Sequence, residues 1–188
     1  TLSTPVTAKL SVEGMGVVDL RQSGGGSLTV TEARTGDGDI MLQVVGANLE
    51  AQVVEAGGQG NVFLETTMSG DVLLGSVTAA DDTLNIDSIG AVLDALVGEA
   101  ANLVGATALI TAVNGVGTSA EDVDTELVSL DARNSGVAGG IFVTELASGG
   151  DLDLAARLTN AAGAGHVVVV VEGGGLPIPA SGGGVDVA

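Results

Sequence analysis

Short apolar runs recur along this chain, and many of them open on a glycine, an alanine or an aspartate. GDIMLQV (38–44), GNVFLET (60–66) and GDVLLGSV (70–77) share one form: a small residue, a turn-forming residue, then apolar, any, apolar. GSLTV (26–30), ANLEAQVV (47–54) and DTLNID (82–87) are variations on it. The later half adds ATALITAV (106–113), TELVSLDA (125–132), GGIFVTEL (139–146), GDLDLAARL (150–158), HVVVVVE (166–172) and GVDVA (184–188). Successive starts are mostly about 10 to 14 residues apart, with longer gaps near 90–105 and 173–184. Several runs alternate with a period of two, as a half-buried strand does: Ile40, Leu42 and Val44 share one face, and Leu152 and Leu154 lie opposite Asp151 and Asp153.

Many short strands separated by Gly, Asn, Asp and Ser turns predict an all-β protein. An antiparallel sandwich would close by two-residue hairpins between sequence neighbours. A β-solenoid would instead lay each strand over its equivalent one coil earlier. The repeated strand openings favour the solenoid, because identical openings stack as ladders and Gly and Asn tolerate the positive φ of tight corners. The strand positions expected to form the ladders are Ile40, Leu42, Val62, Leu64, Val72, Leu74, Leu109, Leu127, Leu130, Ile141, Val143, Leu152 and Leu154.

Composition supports a thin interior. Only two of 188 residues are aromatic, Phe63 and Phe142, while 31 are glycine. Val, Leu, Ile and Ala must therefore fill the core. SIGAVLDALVGEAANLVG (88–105) is the exception to the strand pattern: Ile89, Val92, Leu93, Leu96 and Val97 admit a short helix near 89–104, against three glycines that each weaken a helix by about 1 kcal/mol. The alternative is one more irregular coil. Residues 1–172 are thus expected to form the solenoid, and 173–188, with two prolines and six glycines, a connector with a terminal strand.

The net charge of −19 comes from 24 acids against Lys9, Arg21, Arg34, Arg133 and Arg157. So few bases cannot neutralise a run of phosphates, which argues against nucleic acid and against anionic membrane surfaces. No apolar stretch is long enough and free enough of charge for a transmembrane helix. Cysteine is absent, so neither disulfides nor thiolate chemistry operates. The chain opens on Thr1 in a polar segment and reads as a processed protein or an interior piece of a longer one.

Residues 101–154, ANLVGATALITAVNGVGTSAEDVDTELVSLDARNSGVAGGIFVTELASGGDLDL, carry a resemblance. ALITAVNGVGTS, DVDTELVSLDARN and GGIFVTELASGGDLDL stand in the order and spacing of the repeat in very large bacterial surface proteins of the filamentous haemagglutinin type. The likeness covers roughly 82–160; residues 20–80 share its style but not its wording. It implies a right-handed parallel β-helix, export to the bacterial cell surface, and a structural or adhesive role in a secreted fibre. Self-association would be head to tail. A discrete adhesin domain binding a cell-surface ligand, perhaps stabilised by calcium, is the alternative.

Candidate chemistry is sparse. His166, the single histidine, has no recognisable nucleophile or orienting partner in the sequence, and is expected at a strand start or in a turn. Two carboxylates can hydrolyse a glycoside, but sugar-stacking rings are nearly absent. The GGG runs lack the Lys-Ser/Thr of a phosphate loop. The chain therefore reads as non-enzymatic, with no required cofactor. Acids cluster at Asp37/Asp39, Asp81/Asp82, Glu121/Asp122/Asp124 and Asp151/Asp153. TGDGDIML and SGGDLDLAA approach a calcium-binding nonapeptide without completing it, which makes Asp37, Asp39, Asp151 and Asp153 the candidate calcium ligands. Against this stands the ordinary use of Asp in turns.

Overall fold

The computed structural model describes residues 5–154 and 158–177, and the backbone of 185–187. The described residues form strands, turns and bends with no helix. In chain order the strands are β1 (Val6–Val12), β2 (Val18–Gln22), β3 (Leu28–Thr35), β4 (Ile40–Val45), β5 (Leu49–Ala56), β6 (Val62–Thr67) and β7 (Val72–Ser88). They continue as β8 (Val92–Asp94), β9 (Leu103–Ala112), β10 (Val123–Asn134), β11 (Ile141–Glu145), β12 (Leu158–Asn160), β13 (Val167–Val171) and β14 (Val185–Val187). Every pairing among them is parallel, and none joins sequence neighbours through a hairpin. The chain is a parallel β-solenoid of about seven turns.

Two faces stack along one axis. The first follows the order β1-β3-β5-β7-β9-β10-β11-β13; on the second, β2, β4 and β6 lead into the same long β7, which turns the corner between faces. One interior column on the first face runs Val6, Leu28, Leu49, Val72, Val92, Val116, Ile141, Val167. A column on the second runs Val18, Ile40, Val62, Leu84, Ala108, Leu130. From Val18 to Leu84 its step is 22 residues each time. Alternation turns these aliphatics inward, and each fully buried Leu or Ile contributes roughly 1.5–3 kcal/mol. Phe63 and Phe142 sit half-buried on outward positions between buried neighbours, so the interior holds no ring among the described residues.

Stacking places each corner against the one below. Gly38 and Gly60 occupy the same corner one coil apart, and a Cβ on Gly60 would overlap the Gly38 carbonyl. This close approach explains why strand starts open on glycine.

Three expectations need correction. No helix forms over 89–104: Val92 continues the interior column as part of β8, and the chain then leaves the stack in bends until Leu103. The column takes Val92, and Gly98 at φ +99 suits a bend better than a helix interior. Leu109 is not an inner ladder residue; it is 39 % exposed, because Ala108, Ile110 and Ala112 turn inward. ATALITAV carries a large aliphatic on each parity, Leu109 on one and Ile110 on the other, so its bulkiest residues did not choose its face. Finally, β1 and β2 precede the first run recognised in the sequence, though VTAKLSV alternates clearly. The remaining predicted ladder residues are all buried. Of the predicted connector, Gly173–Gly175 lie against Ala147–Asp151, β14 pairs with β12, and residues 178–184 are outside the described residues.

Candidate functional site

Three of the four candidate calcium ligands, Asp37, Asp39 and Asp151, do a different job. Asp37 Oδ1 accepts from the Gln59 backbone N–H at 2.9 Å, and Asp39 Oδ1 from that of Asn61 at 2.8 Å. Asp151 Oδ1 accepts from Gly175 N–H at 2.6 Å. Each donor lies one coil further along. Asn48 to Asp71, Asn61 to Thr83, Asp71 to Ala91 and Asn102 to Asp124 repeat the same contact at 2.8–3.1 Å. At corners, where regular strand pairing lapses, an Asp or Asn side chain thus accepts the N–H of the coil above. Asp153 belongs to an isolated bridge with Ser129, and its Oδ1 is buried without a hydrogen-bond partner. The Asp37/Asp39 and Asp151/Asp153 pairs belong to widely separated coils and do not converge.

Acids do converge elsewhere. Glu99, Asp122 and Asp124 each place a carboxylate oxygen within 4.8 Å of the others. Glu99 rides on the exposed excursion after β8, Asp122 ends the next excursion, and Asp124 is the second residue of β10. Asp124 is only 2 % exposed, and its Oδ1 has no hydrogen-bond donor. Its carboxyl is pushed up to about 6 by burial, then by Asp122, Glu99, Asp94 and Glu172, so every charge acting on it is acidic. Supporting groups hold the site. Asn102, fully buried, receives the Asp124 N–H and donates to Leu74 O at 3.1 Å and to Asp94 Oδ1 at 2.5 Å. Thr144 Oγ1 donates to Asp122 Oδ2.

Glu145 is a second buried acid. It occupies a core column in which Ala33, Val54, Val77, Leu103 and Thr125 precede it and Val171 follows. Its carboxylate accepts from Thr125 Oγ1 at 2.6 Å and from Leu127 N–H at 2.9 Å. The β11 strand ends at Glu145, so the carboxylate serves the Leu127 N–H that a longer strand would have paired. Burial raises its pKa, and the two hydrogen bonds pull it partly back.

Sequence reading had noted Glu121, Asp122 and Asp124 together but missed Glu99, Asn102, Thr144 and Glu145. The available signal was the coil period: Asn102 and Asp124 are 22 residues apart, as are Asp122 and Thr144.

His166 lies just before β13, and its carbonyl accepts from Ile141 N–H at 2.8 Å. It lines a surface groove of about 370 Å³ with Leu93, Asn114, Phe142 and Ala162. No Asp, Glu, Lys or Arg lines that groove, so His166 has no charged orienting partner there. No family model, curated protein or solved structure matches this chain.

Proposed function

We propose that this chain is a structural and adhesive segment of a bacterial cell-surface fibre, built by end-to-end association of stacked coils. One observation carries the reading: among the described residues, the first-face interior column passes through every coil from Val6 in β1 to Val167 in β13. Among the described residues, β1 pairs only with β3 and β13 only with β11. Their inward residues, Val6, Ala8, Leu10 and Val12 at one end and Val167, Val169 and Val171 at the other, are half-buried, whereas most equivalents between them are buried. The two ends are successive positions of the same columns. A second copy set on β13 through its own β1 would continue the ladder as the next coil. Such head-to-tail contacts propagate rather than close. The net charge of −19 opposes side-by-side clumping. The haemagglutinin-type wording of 101–154 supports a location outside the cell, at the surface.

Sedimentation velocity and negative-stain microscopy across a concentration series test this. The parent chain should lengthen into rods with rising concentration. Leu10→Asp or Val169→Asp should shorten them to monomers with an unchanged far-ultraviolet spectrum. A parent that stays monomeric throughout, or variants that assemble as well as it does, would refute the reading.

A further inference from the structure

We propose that Glu99, Asp122 and Asp124 bind one calcium ion, which ties together the two excursions of the solenoid's least regular coils. Two independent features point there. The first is geometric. Calcium takes oxygen ligands at about 2.3–2.6 Å, so two ligands of one ion lie at most roughly 5 Å apart. The three carboxylate oxygens meet that limit pairwise. The second is an unmet valence. Asp124 is almost fully buried, yet its Oδ1 receives no hydrogen bond, unlike the corner carboxylates of Asp37, Asp39, Asp71 and Asp151. A buried carboxylate oxygen without a donor or a counter-charge is costly, and a cation would satisfy it.

The neighbours fit that role. Thr144 donates to the Asp122 carboxylate, and Asn102 receives the Asp124 backbone N–H. Such outer contacts orient metal ligands. Asp94 adds negative charge from the strand before the excursion. The donors are all hard oxygens, and Glu99 stands on an exposed loop whose carboxylate can adjust; both favour calcium over the smaller, more rigidly octahedral magnesium. The site also sits where strand pairing is short. Here β8 is three residues long, and the next rung is the isolated bridge of Val116. Chain segments 96–101 and 118–122 leave the stack in bends, and the acid trio is where they meet.

The test is calcium chloride titrated into chelator-treated full chain, followed by calorimetry and thermal melting. About one ion per chain should bind, and saturating calcium should raise Tm by roughly 5 °C or more. Glu99→Gln, on an exposed loop and safe for folding, should weaken binding at least tenfold. Asp124→Asn should abolish it, while Asp37→Asn should bind as the parent does. The proposal falls if the parent shows neither heat nor a Tm change. It also falls if Glu99→Gln keeps parental affinity, or if magnesium at equal concentration reproduces the whole effect. None of these readouts depends on rod formation.

Discussion

The coils from Val18 to Ser88 and those from Val92 to Glu145 are made differently, although they share one stack. In the first group the second face steps by 22 residues without exception, strands run five residues or more, and the corners are closed by Asp and Asn side chains. In the second group the first-face steps widen from Val92 to Val116 to Ile141, and β8 shrinks to three residues. Amide and carboxylate side chains enter the interior there: Asn102, Asp124, Asn134 and Glu145 are buried with Thr125 and Thr144, whereas the first group buries only the hydroxyls of Thr35, Thr66 and Ser88. Regular coils are held by repetition. Irregular coils need individual contacts, such as the Glu145 carboxylate on Leu127 N–H or Asn134 Nδ2 on Asn160 Oδ1 at 2.8 Å. Departures from the period are where this chain has room for chemistry beyond its own scaffold.

The comparison can be broken most severely in the shared core. Leu130→Asp buries an unpaired charge in a fully enclosed column and should cost more than about 4 kcal/mol, which urea unfolding would register as loss of the cooperative transition. Leu109→Asp, on the outward side of β9, should cost under about 1 kcal/mol. Equal effects would mean that the two strand faces are not distinguished as described. Next in size is the corner test. Gly60→Ala forces a Cβ into the Gly38 carbonyl and should cost roughly 2–3 kcal/mol. Gly98→Ala, in the excursion with nothing within 4 Å, carries only the strain of its positive φ, about 1 kcal/mol. Chemical denaturation of the pair measures how much tighter the regular corners are.

The smallest effect concerns Glu145. Its folded pKa lies above the ordinary carboxylate value, so the folded state holds the proton more tightly than the unfolded chain does. The stability tied to that proton is present at low pH. It declines as pH rises from the ordinary carboxylate range through the raised folded value. Glu145→Gln removes that decline: its Oε1 can accept from Leu127 N–H while its Nε2 donates to Thr125 Oγ1, whose own hydroxyl already donates to Thr144 O. The variant should match the parent near about pH 4 and exceed it modestly, by about 1 kcal/mol or less, at neutral pH. A variant less stable than the parent at neutral pH would show that the ionised carboxylate is needed.

Much of the fold was legible because it is local. Alternation in GDIMLQV and GNVFLET places Ile40, Leu42, Val62 and Leu64 inward, and the small residues before them mark the corners. Legibility failed where a run carries large aliphatics on both parities, as at Leu109 and Ile110, or where helical and strand spacing overlapped, as at 89–104. It failed for the acidic site for another reason. Asp37 and Asp39 look as available as Asp122 and Asp124 in the sequence, and only the coil above decides that the first pair already has donors.

The sequence by itself therefore determined that the chain makes short strands, that they stack rather than fold back, and that their core holds aliphatics. Those properties depend on side-chain period and turn chemistry within a dozen residues. The tertiary structure decided which polar groups are satisfied and which are left over. Corner and core partners such as Asp71 and Ala91, Asn102 and Asp124, or Asn134 and Asn160 meet from neighbouring coils, 20 to 26 residues along the chain, and changes in coil length shift which residues face each other.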